Sequence, residues 1–401
     1  MSKDSLSIGV RLLLVTLMVV SAQLTWGADD KTAAIDKPKA DVTDAELREH
    51  AQAAMKKGLE WMKSLQRPDG SWSVSNYPAI TALGLWAFTR SDHPDRVGVC
   101  SNAAAFIAEF TQEDGGIYRV GKGRAGGLST YNTAICMTAL HEYNRTKYAP
   151  AILAARKFMA GSQLSGDSVG AGGFGYDRNP PRPSSGAESS DRREQRADLS
   201  NTGWALQAMR VTQDTEDLRP KGESVADLNW SAVVKFVEKL QNQDQADEQN
   251  YGGFGYNPGA ERGGTVVQKD GTLRLLGYGS MTYAGIESMI YARVDRNDPR
   301  VRSALHWAAR HWSVDENPGM GTKGLFYYYN LMGKALSLTG SDVLSRPSGD
   351  PIPWKKQLLD KLIVSQRPDG SWINSDGTFW ESDPVIVTAY VILAIEDILG
   401  K

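Results

Sequence analysis

Two kinds of helical segment alternate along the chain. The first kind is amphipathic, with apolar residues at helical spacing on one face, and the second is apolar nearly all the way round. The amphipathic segments are residues 45–65, 97–110, 150–162, 230–240, 299–312 and 354–365. The apolar segments are residues 79–88, 130–143, 201–211, 280–292, 325–338 and 385–399. This pattern predicts six hairpins, each made of an outer amphipathic helix and an inner apolar helix.

A Gly-rich turn that carries an aromatic residue joins the two helices of each hairpin. Its best copy, Gln66 to Trp72 (QRPDGSW), returns as Gln366 to Trp372. Weaker copies cover residues 112–118, 163–174, 241–254 and 319–326. Asp-Gly supplies a tight reversal with positive φ, and the Gln amide can bond backbone groups that the turn leaves unpaired. Six copies in step with the helix pairs indicate a repeat architecture.

Hairpins of this kind bury one face only by stacking on their neighbours. The predicted fold class is therefore all-α, an α/α toroid of six inner and six outer helices. Closure into a ring is favoured over an open superhelix, because the first and last turns match best. Six inner helices spaced ~8–10 Å apart leave a central space roughly 10 Å across. That space is either a ligand pocket or filled by side chains.

Two insertions lie between a turn and its inner helix. Residues 177–197 are rich in Pro, Ser and Arg, whereas residues 257–279 contain two β-type runs around Lys-Asp-Gly, which predicts a small β-hairpin. Both insertions enter at the rim where the inner helices begin. Long loops at one rim of a barrel are more often functional than decorative. We interpret them as a lid or rim of a binding site, with solvated loops as the alternative.

The composition and the N-terminus set the context of the toroid. The 401 residues are 41% hydrophobic and have a formal net charge of -2, which argues against a nucleic-acid partner. Residues 1–27 combine basic residues, an apolar run and small residues, which predicts a signal peptide and export to the periplasm or medium. An uncleaved membrane anchor is the alternative. Residues 28–43 read as a flexible lead-in, and residues 44–401 as a single toroid domain.

The repeats resemble the QW motif of the prenyltransferase and squalene oxidase repeat, found in squalene–hopene cyclases and protein prenyltransferase β subunits. The resemblance covers residues 45–400 and implies the same α/α toroid. Cyclases of this family place an acidic D-x-D-D-T-A motif at the start of an inner helix. The nearest match here begins at Asp198 (DLSNTG), with Ser200 at the proton-donor position and Asn201 beside it. A hydroxyl and an amide cannot protonate an alkene, so cyclase-type protonation is disfavoured.

The zinc-binding Asp, Cys and His of prenyltransferase β subunits also lack counterparts. Cys100 and Cys136 have no Asp two positions before them, and His306 and His311 are five residues apart, so they do not share a helix face. We therefore expect no metal and no cofactor. The two Cys residues fall at opposite ends of one predicted hairpin, too far apart for a disulfide, and are expected to be free thiols.

Polar and aromatic residues gather in the first turns of the inner helices, whose N-termini all point at one rim. Helix dipoles and free N–H groups there favour anions or oxygen-rich ligands, and aromatic rings can stack on sugars or contact isoprenoids. The candidate ligand-binding residues are Tyr131, Asn132, Ser200, Asn201, Trp204, Thr282, Tyr283 and Tyr328. The alternative is that they cap helices or fill the space between ring layers.

Three acids are candidates for catalysis at this rim: Asp198, Glu287 and Asp383. In the first hypothesis, an exported toroid binds a terpenoid, lipid or carbohydrate ligand, or a protein partner, and has no cyclase chemistry. It contacts a membrane only if the signal peptide is not cleaved. In the second, the chain is a divergent enzyme, either terpenoid cyclase-like or a polysaccharide lyase or hydrolase, that uses these acids. A purely structural ring is the third. The sequence favours the first hypothesis.

Overall fold

The computed structural model describes residues 44–121, 127–178, 197–258, 265–267 and 273–401. These described residues belong to one compact unit. The predicted signal peptide and lead-in lie outside the described residues.

Outer and inner helices alternate along the chain, as predicted. In chain order the helices are α1 (Asp44–Leu65), α2 (Pro78–Thr89), α3 (Arg96–Ala108), α4 (Ser129–Ala160), α5 (Leu199–Val211), α6 (Trp230–Glu238), α7 (Gly279–Tyr291), α8 (Pro299–Arg310), α9 (Leu325–Thr339), α10 (Trp354–Val364) and α11 (Pro384–Leu399). The inner helices are α2, the first half of α4, α5, α7, α9 and α11, and they are buried nearly all the way round. The other helices form the outer ring and bury one face. The α/α toroid of six inner and six outer helices is therefore confirmed.

Helix α4 contains both an inner and an outer helix, because it bends sharply at Asn144. This residue has extended backbone angles (φ -160°, ψ 83°) inside the helix. Its side-chain oxygen accepts a hydrogen bond from the Lys147 backbone N–H at 2.9 Å, so it caps the outer half. The sequence pattern predicts that this outer helix begins at Pro150, but Pro150 lies inside it. The Asn cap, rather than the proline, sets the boundary.

The ring is closed. Each inner helix contacts the next one along the chain, and α11 contacts α2. Among the outer helices, α1 packs against α10 and also against α11. At this junction the Gln366 amide donates to the Ala54 carbonyl at 2.8 Å, and the Arg48 guanidinium donates to the Leu399 carbonyl at 3.3 Å. The first and last repeats are therefore neighbours, as the match between their turns predicts.

Glutamine side chains connect neighbouring hairpins at the turns. The amides of Gln66, Gln163, Gln241 and Gln366 each donate to a carbonyl of their own turn, and also to a carbonyl at or just before the next outer helix. The aromatic residues of five turns are buried, whereas Tyr118 of the second turn is partly exposed. Trp72 and Trp372 also donate their indole N–H groups to carbonyls of the preceding outer helices.

Short β-hairpins decorate the ring. Strand β1 (Thr265–Val267) pairs antiparallel with β2 (Leu273–Leu275), in the second insertion, as predicted. A second hairpin lies between α9 and α10, where β3 (Leu344–Ser345) pairs with β4 (Pro351–Ile352). It was not predicted from the sequence. Most of the first insertion, residues 179–196, lies outside the described residues. Of the helices that the structure describes, none has both the length and the apolar character needed to cross a membrane.

Candidate functional site

A cavity of about 260 Å³ lies inside the ring where the inner helices begin. All six inner helices line it with residues of their first two turns: Ala79, Ile80, Leu83, Tyr131, Asn132, Ile135, Ser200, Ser280, Met281, Tyr327, Ile386 and Tyr390. The loops before these helices add Tyr77, Leu128, Tyr176, Tyr256, Tyr278, Asn317, Gly324, Phe379 and Trp380. The predicted central space is thus a cavity at this end of the ring.

Side chains fill the ring below the cavity. The Trp204 ring packs edge-on against Tyr131 and Trp86, with centroids 6.2 and 6.5 Å apart. The Lys334 ammonium lies 4.6 Å from the Trp204 ring centroid, 2.9 Å from the Gln207 side-chain oxygen and 3.2 Å from a Glu287 carboxylate oxygen. These residues separate the cavity from the opposite end of the ring.

The cavity wall is aromatic and uncharged. None of the side chains that line it, in the part of the chain that the structure describes, carries a formal charge at neutral pH. Two of its polar side chains are already occupied, because Asn132 accepts the Ala79 N–H at 3.0 Å and Asn317 accepts the Ser280 N–H at 2.9 Å. Such a wall suits an apolar ligand better than a charged one.

Side-chain oxygens also cap every inner helix. Oxygens of Asn132, Asp177, Asp198, Asn317, Glu381 and Asp383 accept N–H groups from the first turns of α2, α4, α5, α7, α9 and α11, respectively. Glu381 is fully buried and bonds the N–H groups of both Phe326 and Tyr327. At least one N–H group at the start of each inner helix is therefore taken by a side chain of the protein itself, which weakens the case for an anionic ligand.

Asp198 lies behind the wall of the cavity. It is 3% exposed, and its carboxylate oxygens accept the Asn201 backbone and side-chain N–H groups at 2.8 Å. Burial raises the pKa of Asp198 to about 7, although hydrogen bonds from Asn201 and the Tyr256 hydroxyl act in the opposite direction. Tyr256 itself lines the cavity, whereas Asp198 does not.

The other two candidate acids do not line the cavity. Asp383 caps α11 through the Val385 N–H and accepts a hydrogen bond from the Ser73 hydroxyl. Glu287 pairs with Lys334 below the cavity, and burial raises the pKa of Glu287 to about 7. The three acids therefore lie at three different places, and none of them lines the cavity. Among the described residues, His, Cys, Asp and Glu side chains form no group of three that could hold a metal ion.

The candidate ligand-binding residues separate into two groups. Tyr131, Asn132 and Ser200 line the cavity. The remaining five, Asn201, Trp204, Thr282, Tyr283 and Tyr328, are buried outside its wall. Thr282 accepts the Phe254 N–H of the preceding turn at 3.1 Å, and the Tyr328 hydroxyl donates to the Ser313 carbonyl at 2.7 Å. In the structure, Thr282 and Tyr328 therefore bond and pack against other parts of the protein instead of lining the cavity.

Most aromatic residues of the wall come from loops that the sequence analysis did not single out. Tyr77 and Tyr278 directly precede inner helices, whereas Tyr176 and Tyr256 follow the turns in a repeated Gly-Gly-Phe-Gly-Tyr sequence. This repeated sequence is the signal from which Tyr176 and Tyr256 could have been identified as candidate site residues. Because the loops enter at the rim where all inner helices begin, an aromatic residue just before an inner helix is placed to face the cavity.

The cavity mouth contains strained backbone. Leu128, Phe379 and Trp380 line the cavity with φ values of 51°, 59° and 69°, in the left-handed region that side chains other than glycine rarely adopt. Phe379 and Trp380 are also 61% and 50% exposed, and the Trp380 ring contacts Tyr77 edge-on. Strain of this kind concentrates at functional sites, which singles out this mouth as a candidate site.

Comparison with solved structures finds the same fold in the type II terpene cyclase MstE from Scytonema. A variant in complex with its product merosterolic acid A has a TM-score of 0.52 and 11% identity, covering 88% of this chain and 99% of that chain. A variant in complex with its substrate geranylgeranyl dihydroxybenzoate has a TM-score of 0.52 and 11% identity, covering 89% of this chain and 99% of that chain. The apo enzyme has a TM-score of 0.50 and 11% identity, covering 87% of this chain and 97% of that chain. No protein-family model and no curated protein matches the sequence. The chain thus has a terpene cyclase-like α/α toroid fold.

Proposed function

We propose that this protein is an exported QW-repeat toroid that binds a small, largely apolar ligand of the terpenoid class in the cavity at the inner-helix rim. It does so without cyclase-type protonation. The observation that carries the proposal is the cavity wall, which is rich in tyrosine and aliphatic side chains and has no formal charge among its described residues. Its volume of about 260 Å³ lies just below the roughly 300–1,000 Å³ of typical small-molecule sites.

The chemistry of the wall favours a terpenoid over a carbohydrate. A sugar would bring many hydroxyl groups into the cavity, and each one buried without a partner costs about 1–3 kcal/mol. The amides of Asn132 and Asn317 are occupied by helix N–H groups, and the Ser200 hydroxyl bonds the Tyr327 hydroxyl at 3.0 Å. A terpenoid needs few such partners and gains from apolar burial.

The same wall gives little support to the enzyme hypothesis with two acids across the cavity. Such a mechanism needs two carboxylates that face the substrate. Asp198 lies behind Tyr256, Asp383 caps a helix, and Glu287 pairs with Lys334 below the cavity. Ser200, at the proton-donor position of the resemblance, is a hydroxyl that lines the cavity. Binding is therefore the function that the geometry supports best.

Thermal unfolding with a ligand panel tests the proposal. The panel contains terpenoids, polyprenyl phosphates and acidic oligosaccharides, because a ligand that binds only the folded state raises the melting temperature by mass action. We expect a rise with terpenoids that is lost in Ile80→Trp and Met281→Trp, which fill the cavity from α2 and α7. Val364→Trp, on the exposed surface of α10, is the control and should retain the rise.

Three results would overturn this function. A rise that persists in both filled-cavity variants would place the ligand elsewhere, and a rise with acidic oligosaccharides alone would replace the ligand class. No rise with any ligand would favour a protein partner. Export is tested separately, by following whether residues 1–27 are removed and the mature chain leaves the cytoplasm.

A further inference from the structure

Three tyrosine side chains gather around Asp198 at one wall of the cavity. The Tyr176 and Tyr256 hydroxyl oxygens are 2.5 Å apart. Backbone hydrogen bonds bring Asp198 and Tyr278 to the same wall. The Asp198 N–H donates to the Phe174 carbonyl, two residues before Tyr176, at 3.0 Å, and the Tyr278 N–H donates to the Phe254 carbonyl, two residues before Tyr256, at 3.2 Å. All three tyrosines line the cavity. We call these three residues the tyrosine cluster.

The backbone holds the tyrosine cluster firmly. The Tyr176 carbonyl accepts the Thr130 N–H of α4 at 3.0 Å, and the Tyr256 carbonyl accepts the Leu199 N–H of α5 at 2.8 Å. The Tyr278 carbonyl accepts the Thr282 N–H of α7 at 2.9 Å. Each tyrosine is therefore fixed at the start of an inner helix, so its hydroxyl is placed before any ligand arrives. Such placement lowers the entropy cost of binding.

The tyrosine cluster makes the cavity chemically asymmetric. The helices α2 and α11 contribute the aliphatic side chains of Ile80, Leu83 and Ile386 to the wall. A Tyr hydroxyl is both a donor and an acceptor of hydrogen bonds. The cluster thus adds hydroxyl groups at a place distinct from these aliphatic side chains, which suits a ligand with one oxygen function on an apolar body.

We propose that the tyrosine cluster recognises a single carbonyl or hydroxyl oxygen of the bound terpenoid. This inference rests on the proposed function and narrows its ligand class to oxygenated terpenoids. The ligand oxygen bonds a tyrosine hydroxyl, and the ligand's hydrocarbon body packs against the aliphatic wall. A charged head group is not favoured, because the described wall offers no opposite charge.

Ligands that differ by one oxygen test this proposal. Dissociation constants of menthol, menthone and p-menthane are measured by calorimetry on the full chain and on Tyr256→Phe and Tyr278→Phe. Because an oxygen changes desolvation as well as bonding, the informative quantity is the ratio of the constants for menthol or menthone to that for p-menthane. We expect at least one Tyr→Phe variant to raise this ratio about three- to ten-fold, the worth of one hydrogen bond.

Tyr118→Phe is the matched control. Tyr118 does not line the cavity, and its hydroxyl donates to Asp114 at 3.0 Å, so its variant should keep the ratio within about two-fold of the parent value. The inference is overturned if neither cluster variant changes the ratio, or if Tyr118→Phe changes it as much. Failure of all three compounds to bind the parent protein would instead overturn the proposed function, and this inference with it.

Discussion

Asp198 makes the stability of the protein depend on pH. In the folded state its pKa is about 7, whereas the ordinary value is 3.8. Between these values the folded state binds more protons than the unfolded state, so the free energy of unfolding falls as pH rises. The stabilising contribution is complete below about pH 4 and is lost as pH rises through about 7. Its slope is at most about 1.4 kcal/mol per pH unit.

The Asp198→Asn variant isolates this contribution. Chemical unfolding between pH 4 and 8 should show a smaller loss of stability with rising pH in the variant than in the parent. Glu287 also has a pKa raised by burial to about 7 and remains in both proteins, so only the difference between the two curves reports on Asp198. Parallel curves would contradict the assigned pKa.

Individual polar residues were harder to interpret from the sequence than the pattern that contains them. Asn132, Thr202 and Thr282 all stand in the first turn of an inner helix. The structure shows that Asn132 caps the neighbouring helix α2, whereas Thr202 and Thr282 accept the N–H groups of turn residues Phe174 and Phe254. Their spacing is compatible with ligand contact as well, because the partners lie 28 to 53 residues away along the chain and cannot be read from local sequence.

At the scale of the element, the glycines of the turns permit close packing between repeats. Gly172 has φ +94°, and a Cβ there would overlap the Ala232 carbonyl oxygen of α6. Gly222 has nearly the same φ, +93°, but no atom lies within 4 Å of a Cβ placed there. Alanine substitutions at the two positions therefore distinguish the cost of a positive φ from the additional cost of steric overlap.

We expect Gly222→Ala to cost about 1–2 kcal/mol from the positive φ alone. Gly172→Ala should cost about 1–3 kcal/mol more, because the added methyl forces α6 away from the turn. Urea unfolding of both variants measures the difference. Equal losses would mean that the turn yields without moving the helix.

The glutamine side chains of the turns also hold neighbouring hairpins together, and Gln241 makes three hydrogen bonds. Its buried amide donates to the Gly252 carbonyl at 3.1 Å, the Arg300 carbonyl at 2.8 Å and the Ser303 hydroxyl at 3.2 Å. Gln241→Ala leaves buried carbonyls without this donor and should cost about 2–4 kcal/mol in denaturant unfolding. Gln243→Ala removes an exposed amide from the same segment and should change stability by less than about 0.5 kcal/mol.

Helices were predicted well because their signal is local. The alternation of amphipathic and apolar segments located both rings, and most boundaries agree within about two residues, the usual scatter of helix ends. The bend at Asn144 and the hairpin of Leu344–Ser345 with Pro351–Ile352 were missed. Both depend on a few residues whose conformation is set by hydrogen bonds and packing. The periodicity of apolar residues therefore does not predict them.

At the scale of the whole molecule, closure brings the first and last hairpins together. The match between the turns at Gln66 and Gln366 predicted this contact, because equivalent turns meet equivalent neighbours. The cavity wall was predicted only in part, since its loop residues, such as Tyr256 and Trp380, face the centre only once the ring has closed. A long-range contact of this kind cannot be seen in any single repeat.

A closed ring should tolerate a new pair of chain ends. The permutant joins Lys401 to Asp44 through six Gly/Ser residues, which reach roughly 13 Å, and is opened between Ser348 and Gly349 in an exposed turn. Only that turn is cut, so thermal unfolding should stay cooperative and within roughly 5 °C of the parent.

Deletion of α1 (Asp44–Leu65) is the opposite test of closure. It removes the Ala54 carbonyl that Gln366 bonds and uncovers the apolar faces of α10 and α11. Because a whole neighbour is lost rather than a turn, cooperative unfolding should disappear or shift far down in temperature. If the shortened chain unfolded like the parent while the permutant did not fold, contact between the first and last hairpins would not be what holds the ring together.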